Sequence, residues 1–325
     1  MPHDFQSVRA LLRTPDSKIR EIVTGTLANF GCRRLVTIDH GADMEPYLRA
    51  DMIDLLVVDA ESGLQEACGM VQRMRASPAG DNSFAATIIL TGTPDPHCIA
   101  HLIDSGADTI LIKPLQANAL AERITALVQR RNAFVVTSDY VGPERRGEGQ
   151  RPGSESAPRV TVPNPLREMT VGAMSRDELR RGVRASWETV NEHRIERQAA
   201  HLGWLVEQVR EAFTGQPPSD RARDSIIALR NAAAELRLRV DGCGYDHVAH
   251  LATTMVDICC GLGVALNTPD RRWLAVMPQL AASIAKAFLR ERDTIRAGRK
   301  EAGIRACRPR SGSSSGSPTL PQACH

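Results

Sequence analysis

The sequence predicts a doubly wound parallel α/β sheet of five strands, followed by an all-α bundle. Three observations carry that prediction. Short apolar runs, each bounded by polar or Gly/Pro residues, recur through the first third of the chain, and amphipathic helical patterns fall between them. Past a stretch rich in Pro and Gly, the apolar period becomes purely helical.

Taken in order, strands are predicted at residues 8–12, 34–38, 55–59, 87–91 and 109–112, with helices between them and a last helix at 117–130. Strands alternating with helices form a parallel sheet covered on both faces, and right-handed crossovers leave few topologies. Residues 134–170 contain Gly142, Pro143, Gly147, Gly149, Pro152, Gly153, Pro158, Pro163 and Pro165 among charged and Ser residues, and read as a flexible linker. Its opening, Phe134-Val135-Val136 followed by Tyr140, Gly142, Pro143, Arg145 and Arg146, is less random. That segment is either a strand end and turn, or a piece that packs back on the first domain or docks a partner.

Beyond it, Ser175-Arg176-Asp177-Glu178 has the capping-box pattern. Leu179, Val183, Trp187 and Val190, then Leu202, Leu205, Val206, Val209 and Phe213, give one long helix or two broken near Asn191 to His193. Further helices are predicted from about Ser219 to Val240, through Val248, Leu251, Met255, Ile258 and Leu262, and from an N-cap at Thr268 with Pro269 at the first helical position. Short connections between four such helices imply an antiparallel bundle. The expected division is 1–133, sheet domain; 134–170, linker; 171–304, bundle; and 305–325, a disordered tail rich in Ser, Gly and Pro.

Composition narrows the function classes. At 325 residues, with 42% hydrophobic and 24% charged residues, the chain can bury about two cores. A formal charge of +3 gives no argument for nucleic acid. Arg176, Arg180, Arg181, Arg184, Arg194 and Arg197 form the basic helix surface, but Asp177, Glu178, Glu188, Glu192 and Glu196 interleave with it and favour a solvated face. The cysteines, Cys32, Cys68, Cys98, Cys243, Cys259, Cys260, Cys307 and Cys324, have no Cys-x-x-Cys spacing, which argues against a zinc site or disulfide framework. No apolar stretch approaches the ~18 residues of a membrane span. The expected location is the cytoplasm, without a membrane.

The chemistry sits where strands end. Asp59 closes Leu55-Leu56-Val57-Val58, Thr91 closes Thr87-Ile88-Ile89-Leu90, and Lys113-Pro114 follows Ile110-Leu111-Ile112. Carboxyl ends of parallel strands line the ligand crevice, so a carboxylate, a hydroxyl and an ammonium converge there, a set suited to a phosphoryl group. Pro114 suggests a turn, with a cis bond as one form.

These three motifs, with Gly106-Ala107-Asp108, resemble the receiver domain of bacterial two-component response regulators over roughly residues 6–131. The resemblance implies a flavodoxin-like fold with Asp59 as phosphoacceptor from a histidine kinase or phosphotransfer protein, and Thr91 and Lys113 contacting the phosphoryl oxygens. It implies no enzyme activity beyond self-phosphorylation at Asp59 from a phosphodonor. The chain departs from the family after the first strand, where the acidic pair that helps hold Mg²⁺ falls on Thr14 and Pro15. Asp16 follows, so Asp59 and Asp16 remain as weak Mg²⁺ ligands. Two readings of Asp59 stand: a phosphoacceptor with weakened metal dependence, or a crevice carboxylate paired with Lys113 in a scaffold or decoy that signals by binding alone. A haloacid-dehalogenase-like phosphatase needs a second Asp two residues on, where this chain has Glu61.

The bundle resembles a histidine phosphotransfer domain at Ala228-Leu229-Arg230-Asn231-Ala232-Ala233-Ala234-Glu235-Leu236-Arg237. The phosphotransfer histidine of that family falls on Ala234, which cannot carry phosphate. His193, His201, His247 and His250 lie outside the motif, and His247 with His250 lacks a third metal ligand. The resemblances together imply a phosphorelay protein whose helical domain binds a downstream protein, with homodimerisation through the long helix from Ser175 as a further expectation.

Overall fold

The computed structural model describes residues 4–39, 44–76, 81–92, 95–138, 140–144, 157–215, 218–266 and 268–302. The tail expected at 305–325 and part of the expected linker lie outside them.

The strands are β1 (Arg9–Arg13), β2 (Arg34–Ile38), β3 (Leu55–Asp59), β4 (Ala86–Thr91) and β5 (Thr109–Ile112), in the order β2-β1-β3-β4-β5. All four pairings are parallel. The intervening helices are α1 (Ser17–Asn29), α2 (Glu45–Ala50), α3 (Leu64–Ala76) and α4 (Pro96–Asp104), with α5 (Ala117–Gln129) after the last strand. That order is the flavodoxin-like arrangement expected from the sequence.

Side chains of each central strand alternate between two cores because successive Cβ atoms point to opposite faces. Leu55 and Val57 of β3, with Ile88 and Leu90 of β4, pack towards Val23, Leu27, Ile124 and Val128 of α1 and α5. Leu56, Val58 and Ile89 face Leu48, Val71 and Leu102 of α2, α3 and α4.

The stretch expected to be a flexible linker departs from that expectation wherever it is described. β6 (Phe134–Val136), β7 (Val141–Pro143) and β8 (Arg159–Val160) form a small antiparallel sheet in the order β7-β6-β8, followed by α6 (Pro165–Val171). Phe134, Val136, Val141, Val160, Leu166 and Met169 join the core on the α1/α5 side, and Phe134 meets Phe84 edge-on at 5.4 Å. Burial of these apolar anchors outweighs the turn-forming composition around them. Asn164 caps α6, accepting a hydrogen bond from the Arg167 amide, and Gly172 ends it in the left-handed region at φ +67°.

α7 (Arg176–Ala212) is one unbroken helix of 37 residues, opened by the expected capping box of Ser175 and Glu178. Leu179, Val183, Trp187 and Val190 belong to the core of the sheet unit, whereas Ile195, Ala199, Leu202, Val206 and Val209 belong to a second core. At 3.6 residues per turn, the step from Val190 to Ile195 rotates the apolar face by about 140°. The change of pattern near Asn191 is therefore a change of packing partner along a continuous helix.

The second core is closed by α8 (Ala222–Val240), α9 (Asp246–Val264) and α10 (Arg271–Ala302). α8 packs on α7 and α9, and α10 closes against both α7 and α9. α8 starts later than predicted because Ser219 to Ala222 form a turn, with the Ala222 amide donating to the Ser219 carbonyl. Asp270, not Thr268, serves the start of α10 by accepting from the Arg272 amide at 2.9 Å. Among the described residues α9 alone is long and apolar enough to cross a membrane, and its Val248, Ala252, Met255, Ile258 and Leu262 are buried in this core.

Candidate functional site

The structure brings Asp59, Thr91 and Lys113 to one edge of the sheet. Asp59 ends β3, Thr91 ends β4 and Lys113 directly follows β5, with β4 paired to both other strands. The Lys113 amide donates to the Thr91 carbonyl at 2.8 Å, and the Lys113–Pro114 bond is cis.

Asp59 is fully buried, and both carboxylate oxygens have partners. Oδ2 accepts from Thr14 Oγ1 at 2.9 Å and from Lys113 Nζ at 2.8 Å; Oδ1 accepts from the Glu61 amide at 3.1 Å. Asp59 thereby caps a short 3-10 turn at Ala60–Ser62. Lys113 Nζ also donates to Glu61 Oε2 at 2.7 Å. Burial alone would lower the pKa of the Lys113 ammonium, but its hydrogen bonds to Asp59 and Glu61 outweigh that and raise it. The Glu61 carboxylate lies across Gly92, where any Cβ would overlap Oε1.

The residues present do not fit a Mg²⁺ ion at Asp59. Mg²⁺ needs hard oxygen ligands in near-octahedral order, but the ammonium of Lys113 and the hydroxyl of Thr14 already hold the facing oxygen. Asp16 is the N-cap of α1, its Oδ1 accepting from the Lys18 amide at 2.8 Å and the Ile19 amide at 3.3 Å. Among the described residues no group of three His, Cys, Asp or Glu side chains is arranged to hold a metal.

Thr14 is the site residue that sequence reasoning missed. It appeared only as a non-acidic substitute, yet it is buried and bonded to Asp59. Its signal is a hydroxyl one residue past the apolar run Ala10-Leu11-Leu12, with Arg13 between, a weaker form of the Thr91 pattern.

The opposite edge of the sheet holds a second set of buried charges. Asp54, just before β3, accepts from the Arg9 amide at 2.8 Å and from both terminal nitrogens of Arg176 at 3.2 and 2.9 Å. Burial raises the pKa of Asp54, and the Arg176 contacts reduce the rise without cancelling it. Arg180 and Arg184 pair with Asp81. The basic helix face expected to be solvated is thus partly consumed by the chain's own sheet unit, because Arg176, Arg180 and Arg184 share a face at four-residue spacing.

Asp108, of the Gly106-Ala107-Asp108 motif, accepts from Arg75 Nη2 at 3.0 Å and from Arg131 Nε at 2.7 Å. Burial pulls Arg75 down to about 10. Burial also pushes Asp108 up, but the two guanidiniums prevail and lower it. Both guanidiniums lie over the Phe134 ring, 5.2 and 4.8 Å from its centroid, which ties β6 to the sheet.

In the bundle, Ala234 lies half-buried on α8. His193 sits 3.8 Å from Glu196, His201 stacks on Trp204 at 5.5 Å, and His250 Nδ1 donates to the Asp246 carbonyl at 2.9 Å. His247 is exposed at the start of α9.

No family model matches the sequence, and no curated protein matches it. Among solved structures, the chain is similar to a signal receiver domain of two-component signal transduction (histidine kinase) from Clostridium thermocellum, with 16% identity and a TM-score of 0.34 over 37% of this chain and 95% of that one. It is also similar to a response regulator from Thermotoga maritima, with 22% identity and a TM-score of 0.32 over 38% and 99% of the two chains. A response regulator in red light signalling of R. palustris aligns at 16% identity and a TM-score of 0.30 over 37% and 91%. The class defined by the fold is a flavodoxin-like five-stranded parallel sheet; the rest of the described residues are mainly helical.

Proposed function

We propose that this chain is a two-component-type signal-transduction protein whose receiver-like unit works by binding, without Mg²⁺-dependent phosphoryl acceptance. The observation that carries this reading is the state of Asp59: fully buried, with Thr14, Lys113 and the Glu61 amide on its two oxygens. Phosphoryl transfer needs a cation to neutralise developing charge, and Thr14 and Pro15 supply no carboxylate to hold one. In this reading Asp59 and Lys113 are a crevice ion pair that fixes the carboxyl edge. A histidine kinase or phosphotransfer protein docks on the sheet unit, and the bundle engages a downstream protein.

A second reading, phosphoryl acceptance at Asp59, draws support from the convergence of Asp59, Thr91 and Lys113 on three neighbouring strands. Incubation with acetyl phosphate and Mg²⁺, read by intact mass beside Asp59→Asn and an active control receiver, separates the two. The binding reading expects no adduct under conditions that label the control. A Mg²⁺-dependent adduct on wild type that is absent from Asp59→Asn overturns it in favour of the second.

A further inference from the structure

α4 begins shortly after the Thr91 strand end and presents two imidazoles to solvent. His97 and His101 are four residues apart, both exposed, with ring centroids 4.6 Å apart and planes inclined at 64°. Side chains at that spacing stand one above the other on the same helix face. Imidazole nitrogens so placed can reach one ion at about 2.0–2.1 Å with small rotamer changes.

We propose that His97 and His101 form a two-imidazole site for a divalent transition-metal ion on the surface of α4. The chemistry selects the ion: paired imidazoles favour Cu²⁺, Ni²⁺ or Zn²⁺ over Mg²⁺ or Ca²⁺, which take oxygen ligands. No third His, Cys, Asp or Glu joins the pair among the described residues. Asp95, the nearest carboxylate before the helix, accepts from the Cys98 amide at 3.3 Å as its N-cap. Water or a partner's side chain therefore fills the remaining positions, and affinity follows the rise from Ni²⁺ to Cu²⁺ expected for nitrogen sites.

The position gives the site a consequence. A metal bridging His97 and His101 staples the first and last turns of a nine-residue helix. The same helix is held to α3 by a Cys68 Sγ contact with the His101 carbonyl at 3.5 Å. A bound ion would thus stiffen α4 against α3, whether or not Asp59 takes phosphate.

The test is a Cu²⁺ titration of the untagged full chain by calorimetry, with electron paramagnetic resonance reading the coordinating nitrogens. His97→Asn and His101→Asn change exposed side chains, and a double His247→Asn/His250→Asn variant serves as the control. The expected result is a first Cu²⁺ equivalent with two imidazole nitrogens, weakened by about tenfold or more in either α4 variant and unchanged in the control. Equal binding by wild type and the α4 variants identifies an adventitious ion only and overturns the proposal, as does a loss confined to the control.

Discussion

β3 carries a buried aspartate at each end, and the two ends are held in different ways. Asp54, at the amino edge, is gripped by the planar fork of Arg176; nearby Asp108 is gripped by Arg75 and Arg131. Asp59, at the carboxyl edge, meets a hydroxyl, an ammonium and one amide. Guanidinium forks fix geometry through paired hydrogen bonds, whereas an ammonium on a flexible stem can change partners. The amino edge fastens segments far away in sequence, and the carboxyl edge keeps compact groups that can be rearranged.

The largest effect expected from breaking this contrast is at Asp108. Asp108→Ala leaves two buried guanidiniums without their carboxylate and should cost about 3–5 kcal/mol in denaturant unfolding. Because the pKa of Asp108 is lowered in the fold, its contribution is present above the ordinary carboxylate value of 3.8 and is lost as pH falls through the lower folded value. The penalty of the variant should therefore shrink in acid.

Next comes Arg176→Ala, which removes the charged hydrogen bonds to Asp54 at a cost of about 1.5–3 kcal/mol near pH 7. Here the sign reverses. The folded pKa of Asp54 is raised, so the native state holds a proton that the unfolded state has released in the window above 3.8, and stability falls as pH rises through that window. Removing Arg176 raises this pKa further, and stability curves measured between pH 4 and about pH 7 should diverge towards neutrality. Parallel curves would show that the charge of Asp54 does not depend on Arg176.

The smallest effect distinguishes two glycines. A Cβ at Gly106, where φ is +85°, would come within 2.5 Å of the Val141 backbone oxygen, so Gly106→Ala should cost about 1–3 kcal/mol. At Gly92 the obstacle is the end of the Glu61 side chain, which can swing into solvent. Gly92→Ala should cost under about 1 kcal/mol, the worth of an exposed ion pair. Similar losses in thermal unfolding would erase the distinction between a rigid edge and an adaptable one.

The candidate site was legible in sequence because Asp59, Thr91 and Lys113 each close an apolar run, and strand ends are where such residues converge. Thr14 stands one residue past its apolar run, after Arg13, and occupies a place where the resemblance leads one to look for an acid. The region after residue 133 conceals its structure from the sequence for physical reasons. β6, β7 and β8 span three, three and two residues, too short to show a period, and their Pro and Gly neighbours signal turns. The Arg176 contact with Asp54 spans 122 positions, which no local pattern reveals. Near Asn191 the apolar stripe turns around the helix, which reads in sequence as either a break or a rotation; burial against two different cores resolves it.

The unbroken course of α7 makes it a lever. Its first half is clamped to the sheet unit, its second half is a wall of the bundle, and Asn191 and Glu192 sit buried at the fulcrum. From Asn191 to Ala212 the helix reaches roughly 30 Å, so a tilt of about 5° at the clamp would carry the far end about 2.5 Å. A small adjustment at the foot of β3 would thereby be magnified along α7 into a larger displacement of the bundle wall.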